Sequence, residues 1–187
     1  MSYKDTSYYR KFPREWIFFL RDELAKEFPG YTDGRLLTGY LPPVATKSMI
    51  GKLAAKLPSR PEGVTIGGII YLTPHYVRVR NLYNAGRGAE AAKIYEFGMY
   101  AHETYHAIDQ ELTGSFPLLK GSGRWKWFIK YVIRLIKTPN AYKHPMEIPA
   151  YSFGKYMKLL VENSEIKSSW HDTFFNPKPI LNTYVFI

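Results

Sequence analysis

The chain contains no cysteine. That excludes a disulfide framework, a thiolate metal site, a cysteine nucleophile and thiol redox chemistry. Any transition-metal site must therefore be built from histidine and carboxylate. Long apolar runs are missing as well, since none approaches the ~18 residues needed to cross a bilayer. The start, Met1-Ser2-Tyr3-Lys4-Asp5, lacks the apolar core of a signal peptide. The expectation is a soluble protein, cytoplasmic or released without a classical signal peptide, with no transmembrane span. Internal repeats and low-complexity tracts are not evident. Acid is missing locally. Between Glu111 and Glu147 there is none, whereas Lys120, Arg124, Lys126, Lys130, Arg134, Lys137 and Lys143 all fall there, supplying +7 of the formal net charge of +10. A polyanionic partner is thus a question about one segment and not the whole surface.

What is present is ordinary globular usage: 187 residues, 45% hydrophobic and 22% charged, enough for one domain with a sizeable core. Pro13 suits the first turn of a helix in which Trp16, Phe19, Leu20 and Leu24 recur until Pro29-Gly30. Residues 30–46 are rich in Gly and Pro and read as loop. Thr46 or Ser48 caps a short helix with Met49, Ile50, Leu53, Ala54 and Leu57 on one side, ended by Pro58. Val64–Ile66 and Ile69–Leu72 flank Gly67-Gly68 and read as a strand pair. Tyr76–Val79 either continues the second strand or opens a helical turn. The longest helical pattern runs from about Ala89 to Leu112 and stops at Gly114. Further helical patterns span Trp125–Ile136 and about Met146–Glu162, and the tail from Ser168 reads as irregular. The fold class expected is α+β, mostly helical with a small sheet.

The longest helical pattern contains His102-Glu103-Thr104-Tyr105-His106, an H-E-x-x-H match. Residues four apart on a helix differ by about 40° of rotation, so both imidazoles project from one face and can share a metal ion. Glu103 lies about 100° round from His102, within reach of a water on that ion without ligating it. Two histidine ligands, a water of lowered pKa and a carboxylate base are the parts needed for metal-assisted hydrolysis.

Three residues compete to be the third ligand. Asp109 shares the histidine face one turn on and is better placed to accept a hydrogen bond from a ligand's second ring nitrogen. His144 sits in a loop and stays open. Glu147 is favoured: Pro145 and Pro149 are tolerable only near a helix start, which places Glu147 in the first turn of the next helix. Ala150 is small enough to let that helix approach the first, and Tyr151, four residues beyond Glu147, points the same way.

His102–His106 together with Glu147-Ile148-Pro149-Ala150-Tyr151 resembles the gluzincin arrangement of zinc metallopeptidases, H-E-x-x-H followed on a later helix by E-x-x-A. Gly63–Gly67 and Ile70–Pro74, leading into the motif helix, look like small bacterial zincin-like domains of uncharacterised type. His106-Ala107-Ile108-Asp109 is similar to lethal-factor-type toxin peptidases. The resemblance covers about residues 63–155. It implies a zincin-like fold, a small sheet packed on the H-E-x-x-H helix, and one Zn2+ held by His102, His106 and Glu147. The chain then divides into an N-terminal helical part over about 1–60, a metal-site core over 63–165 and a tail over 166–187, all one domain. Two positions depart from the family pattern. Thr104-Tyr105 replaces an apolar-small pair, which places a bulky ring beside the site, and Pro149 falls inside E-x-x-A.

The activity so implied is peptide hydrolysis, with Glu103 as general base. Tyr151 is the candidate donor to the developing oxyanion, with Tyr105 and His171 behind it. A peptide substrate is expected to lie along the edge of the Ile69–Leu72 strand. The other informative stretch is the basic aromatic segment 124–137. Lys126, Lys130, Arg134 and Lys137 form a narrow stripe on a helix that is otherwise apolar, with Trp125 and Trp127 at its start. It fits a buried helix with one solvated stripe, a helix lying on an anionic membrane, or a flap over the site. Its apolar content and the lack of any nucleic-acid motif argue against nucleic acid. A non-catalytic zincin-like module that docks on a protein or membrane through this segment is the alternative to an enzyme.

Overall fold

The computed structural model describes residues 3–29, 41–57, 59–113, 129–131, 133, 134, 137, 138 and 143–163. In order these form β1 (Tyr3–Asp5), a 3-10 turn (Tyr8–Lys11), α1 (Arg14–Glu27), β2 (Val44–Thr46), α2 (Met49–Ala54), β3 (Gly63–Ile66), β4 (Ile69–Leu72), α3 (Pro74–Thr113) and α4 (Glu147–Glu162). Residues 129–131, 133, 134 and 137 are also helical. The architecture is mixed helix and sheet, as expected of an α+β chain. No described helix is long and apolar enough to cross a membrane. Trp125, Lys126, Trp127, His171 and the tail from Ser168 lie outside the described residues.

The four strands form one sheet in the order β1-β2-β4-β3. β3 and β4 are an antiparallel hairpin with Ile66 opposite Ile69. Gly67 and Gly68 turn it with φ of 62° and 75°. Positive φ at both central residues suits the right-handed twist of the strands, and glycine takes it without strain. β2 pairs parallel with β4 and antiparallel with β1. Residues 44–46 therefore depart from the loop expected over 30–46. Three residues are too few to show a period of two, and their place comes from pairing and burial: Val44 and Ala45 are core residues. β4 is paired on both sides, which rules out the expected substrate strand along it. The outer strand next to it is β3.

Tyr76–Val79 belongs to α3, not to a strand. α3 is broken at Gly88, whose φ of 87° and ψ of 172° are not helical. Arg80 Nε donates to Glu96 Oε2 at 2.8 Å across this break. Sixteen residues of straight helix would separate such groups by about 24 Å. The chain thus reverses at Gly88, and α3 is a helical hairpin with its arms, residues 74–87 and 89–113, side by side. The stacked rings of Tyr83 and Tyr95, 4.4 Å apart, close it further towards the tip. Buried Glu96 also accepts from Tyr8 Oη and from Lys11 Nζ at 3.2 Å, so one carboxylate ties the N-terminus to both arms. Burial alone would raise its pKa, but Tyr8, Lys11 and Arg80 hold it below the ordinary carboxylate value.

The core lies between the inner face of the sheet, α1, the second arm of α3 and α4. Leu20 and Leu24 of α1, Ile70 of β4, Phe97 and Tyr100 of α3, and Phe153 of α4 are all fully buried in it. α2 differs from expectation in the face it buries. Of the expected side only Ala54 is buried, next to Gly51, whereas Met49 is 77% and Leu53 57% exposed. A Cβ at Gly51 would fall onto the carbonyl oxygen of Leu72, so the helix meets β4 with its small residues. Close backbone approach has overridden the apolar stripe.

Candidate metal centre

The site is assembled where α4 crosses the second arm of α3. Gly98 and Gly154 face each other there, and a Cβ built on Gly154 would stand 2.7 Å from Gly98 O and 2.9 Å from His102 Cβ. Ala150, fully buried one turn earlier, continues the close contact. The crossing brings Glu147, the first residue of α4, against His102 and His106. Pro149 is harmless there, because the first-turn N–H groups have no intrahelical acceptor.

His102 Nε2 and His106 Nε2 converge on Glu147 Oε2 at 3.3 and 3.2 Å. One donor atom from each of the three residues lies within 4.8 Å of the others, and His106 and Glu147 are buried. Bonds of about 2.0–2.1 Å at tetrahedral angles set neighbouring donor atoms about 3.4 Å apart. The spacing therefore fits one ion, and the donor set fits a borderline metal. A buried His-His-Glu group that can hold a metal ion is present. Glu147 is held far below the usual carboxylate range, against the effect of its burial, by His106 and His102. Burial opposes charge on the His106 ring, yet Glu147, with help from Glu103 and Asp109, raises its pKa above the ordinary imidazole value.

Glu103 is buried and stands beside the triad without joining it, its Oε1 4.0 Å from His102 Nε2. Its other oxygen, Oε2, accepts from Thr65 Oγ1 at 2.7 Å. The same hydroxyl lies 3.1 Å from the Glu103 carbonyl oxygen. Gln110 Nε2 donates to Thr65 O at 2.6 Å, so one helix holds β3 at two points. Gly63 completes this wall, since a Cβ there would come within 2.8 Å of Glu103 Oε1. β3 thus fixes one carboxylate oxygen and leaves room at the other.

The remaining expectations divide. The Tyr151 ring lies 4.5 Å from the His102 ring at the partly exposed side of the site. Asp109 is half-buried on the same helix and bears on His106 electrostatically. Tyr105 does not stand beside the site. Its hydroxyl donates to Glu27 Oε1 at 3.1 Å and its ring packs on Phe28 and Phe153. Three residues past His102, it leaves the helix about 60° away from that face, towards α1.

His144 is not among the converging donors. Its Nδ1 accepts from Met146 N at 3.2 Å and its Nε2 donates to Tyr131 O at 3.3 Å, so both ring nitrogens hold backbone. Its own carbonyl accepts from Glu147 N and Ile148 N, which caps α4. Tyr131, which the sequence reading did not single out, donates from its hydroxyl to Glu147 Oε1 at 2.6 Å. Burial and the Glu147 charge raise the pKa of this phenol, which keeps it a donor. It orients the carboxylate so that Oε2 faces the histidines. Glu62, just before β3, adds a carboxyl whose pKa is raised by burial and which accepts from Tyr95. No spacing rule points to Thr65, Tyr131 or Glu62, because their partners are distant in sequence. Comparison with protein families, curated proteins and solved structures finds no match to this chain.

Proposed function

We propose that the chain is a zinc-dependent peptidase with a zincin-like site. The observation that carries this reading is the convergence of His102, His106 and Glu147 with an independently held carboxylate, Glu103, at their side. His102, His106 and Glu147 would hold the ion. Zinc, when bound, supplies a Lewis acid that polarises a carbonyl and acidifies water. Glu103 Oε1 takes a proton from the attacking water and gives it to the leaving amine, while Thr65 keeps Oε2 occupied. The Tyr151 hydroxyl donates to the oxyanion that develops on the scissile carbonyl. An extended peptide lies along β3, the outer strand that carries Gly63 and Thr65 past Glu103.

Elemental analysis of the purified chain tests the reading. One zinc per chain is expected, lost on His102→Ala. An absence of stoichiometric zinc after loading at neutral pH, in a folded protein, would overturn it. Tyr131→Phe keeps the ring against His144, 4.6 Å away, and removes only the hydroxyl. Zinc affinity should then fall about ten- to a hundredfold in a chelator competition, as for other partners of ligating carboxylates. An unchanged affinity would make the Tyr131–Glu147 bond incidental.

A further inference from the structure

The described part of the basic segment is solvent-facing in an unusual way. Ile129 is 53% and Ile133 49% exposed, and Lys130 and Lys137 are exposed beside them. These residues, with half-buried Arg134, line one shallow concavity. With helical steps of about 100°, Ile129, Ile133, Lys137, Lys130 and Arg134 fall in that order within an arc of about 140°. Tyr131 lies outside the arc, about 200° from Ile129, and is the residue anchored to Glu147 and His144. The helix is thus pinned by one face and presents another that mixes two large aliphatic side chains with three cations.

We propose that this face docks on an anionic lipid surface. Ile129 and Ile133 are four residues apart, so they form one contiguous apolar strip, whose removal from water would be favourable. The apolar half of the arc suits the acyl boundary, and the cationic half suits acidic headgroups. The segment carries charge of one sign, since residues 112–146 contain no acid, and that sign is complementary to anionic headgroups. Phosphate contacts alone would explain the cations and not the isoleucines, so nucleic acid fits less of the face. Lipid binding is independent of hydrolysis, so its test does not depend on the metal site.

The experiment is cosedimentation of the whole chain with vesicles of phosphatidylcholine, and with vesicles in which a third of the lipid is phosphatidylglycerol. Binding is expected to the anionic vesicles only and to weaken as salt is raised. Lys130→Gln combined with Lys137→Gln should lower partitioning roughly thirty-fold. Ile129→Ser combined with Ile133→Ser should lower it roughly tenfold. All four side chains are exposed, so circular dichroism should be unchanged. Equal binding to neutral vesicles, or none to either, would overturn the proposal. So would binding that duplex DNA displaces and the isoleucine pair leaves unaltered, which would mark a polyanion site instead.

Discussion

Glu103→Gln should leave one zinc per chain and lower kcat/KM for peptide hydrolysis by about a thousandfold, the size of a lost general base. The substitution is close to isosteric. Its amide oxygen can accept the Thr65 hydroxyl as Glu103 Oε2 does now at 2.7 Å, so β3 keeps its hold on the helix. What disappears is a proton acceptor at the position of Oε1, the oxygen beside His102. Because Glu103 is not among the three converging donors, metal content should not follow activity. Peptide products from a denatured protein pool, read by mass spectrometry, and zinc by elemental analysis give the two halves of the result. A loss of zinc would mean that Glu103 ligates or supports the fold. Undiminished cleavage would remove it from the mechanism. The alternative, a docking module without catalysis, predicts no cleavage by either protein and no change in zinc.

The parts of the site that were legible beforehand are those set by helical geometry. His102 and His106 share a face because they are four residues apart. Glu147 was placed by Pro145 and Pro149, which leave little choice about where α4 starts. Residues 147–162 and the end of α3 at Thr113 follow from the same periodic signal. The hairpin in α3 was not legible, because residues 81–90 are exposed nearly throughout and carry no apolar period. β1 and β2 are three residues each and owe their form to one another and to β4. α2 misled in the opposite way: its apolar stripe was real, but Gly51 allowed a closer contact at the stripe's Ala54 edge, leaving Met49 and Leu53 outside. Thr65 and Tyr131 belong to a class no linear pattern announces. They lie 38 and 16 residues from the carboxylates they bond, and only the fold makes them neighbours.

Gly154→Ala should do what no ligand substitution does: lose zinc with every donor still in the chain. The added methyl would stand 2.7 Å from Gly98 O and 2.9 Å from His102 Cβ. The closest atom is backbone, so no rotamer change relieves it and α4 must move off α3. Overpacking of this kind costs about 1–3 kcal/mol. In a chain of this size that is a fall in Tm of roughly 3–10 °C. Glu147 rides on α4 and both histidines on α3, so the displacement opens the triad directly. Zinc affinity should fall about a hundredfold, since donors must be held within roughly 0.5 Å of their working positions. Two other glycines act as controls. Gly98→Ala, with its nearest contact at 3.1 Å, should be milder. Gly63→Ala crowds Glu103 Oε1 at 2.8 Å without touching the α3–α4 crossing, so it should lower hydrolysis and spare zinc. If Gly154→Ala lowers Tm but binds zinc as before, helix spacing is not what positions Glu147, and the carboxylate is held by Tyr131 and the His144 cap instead.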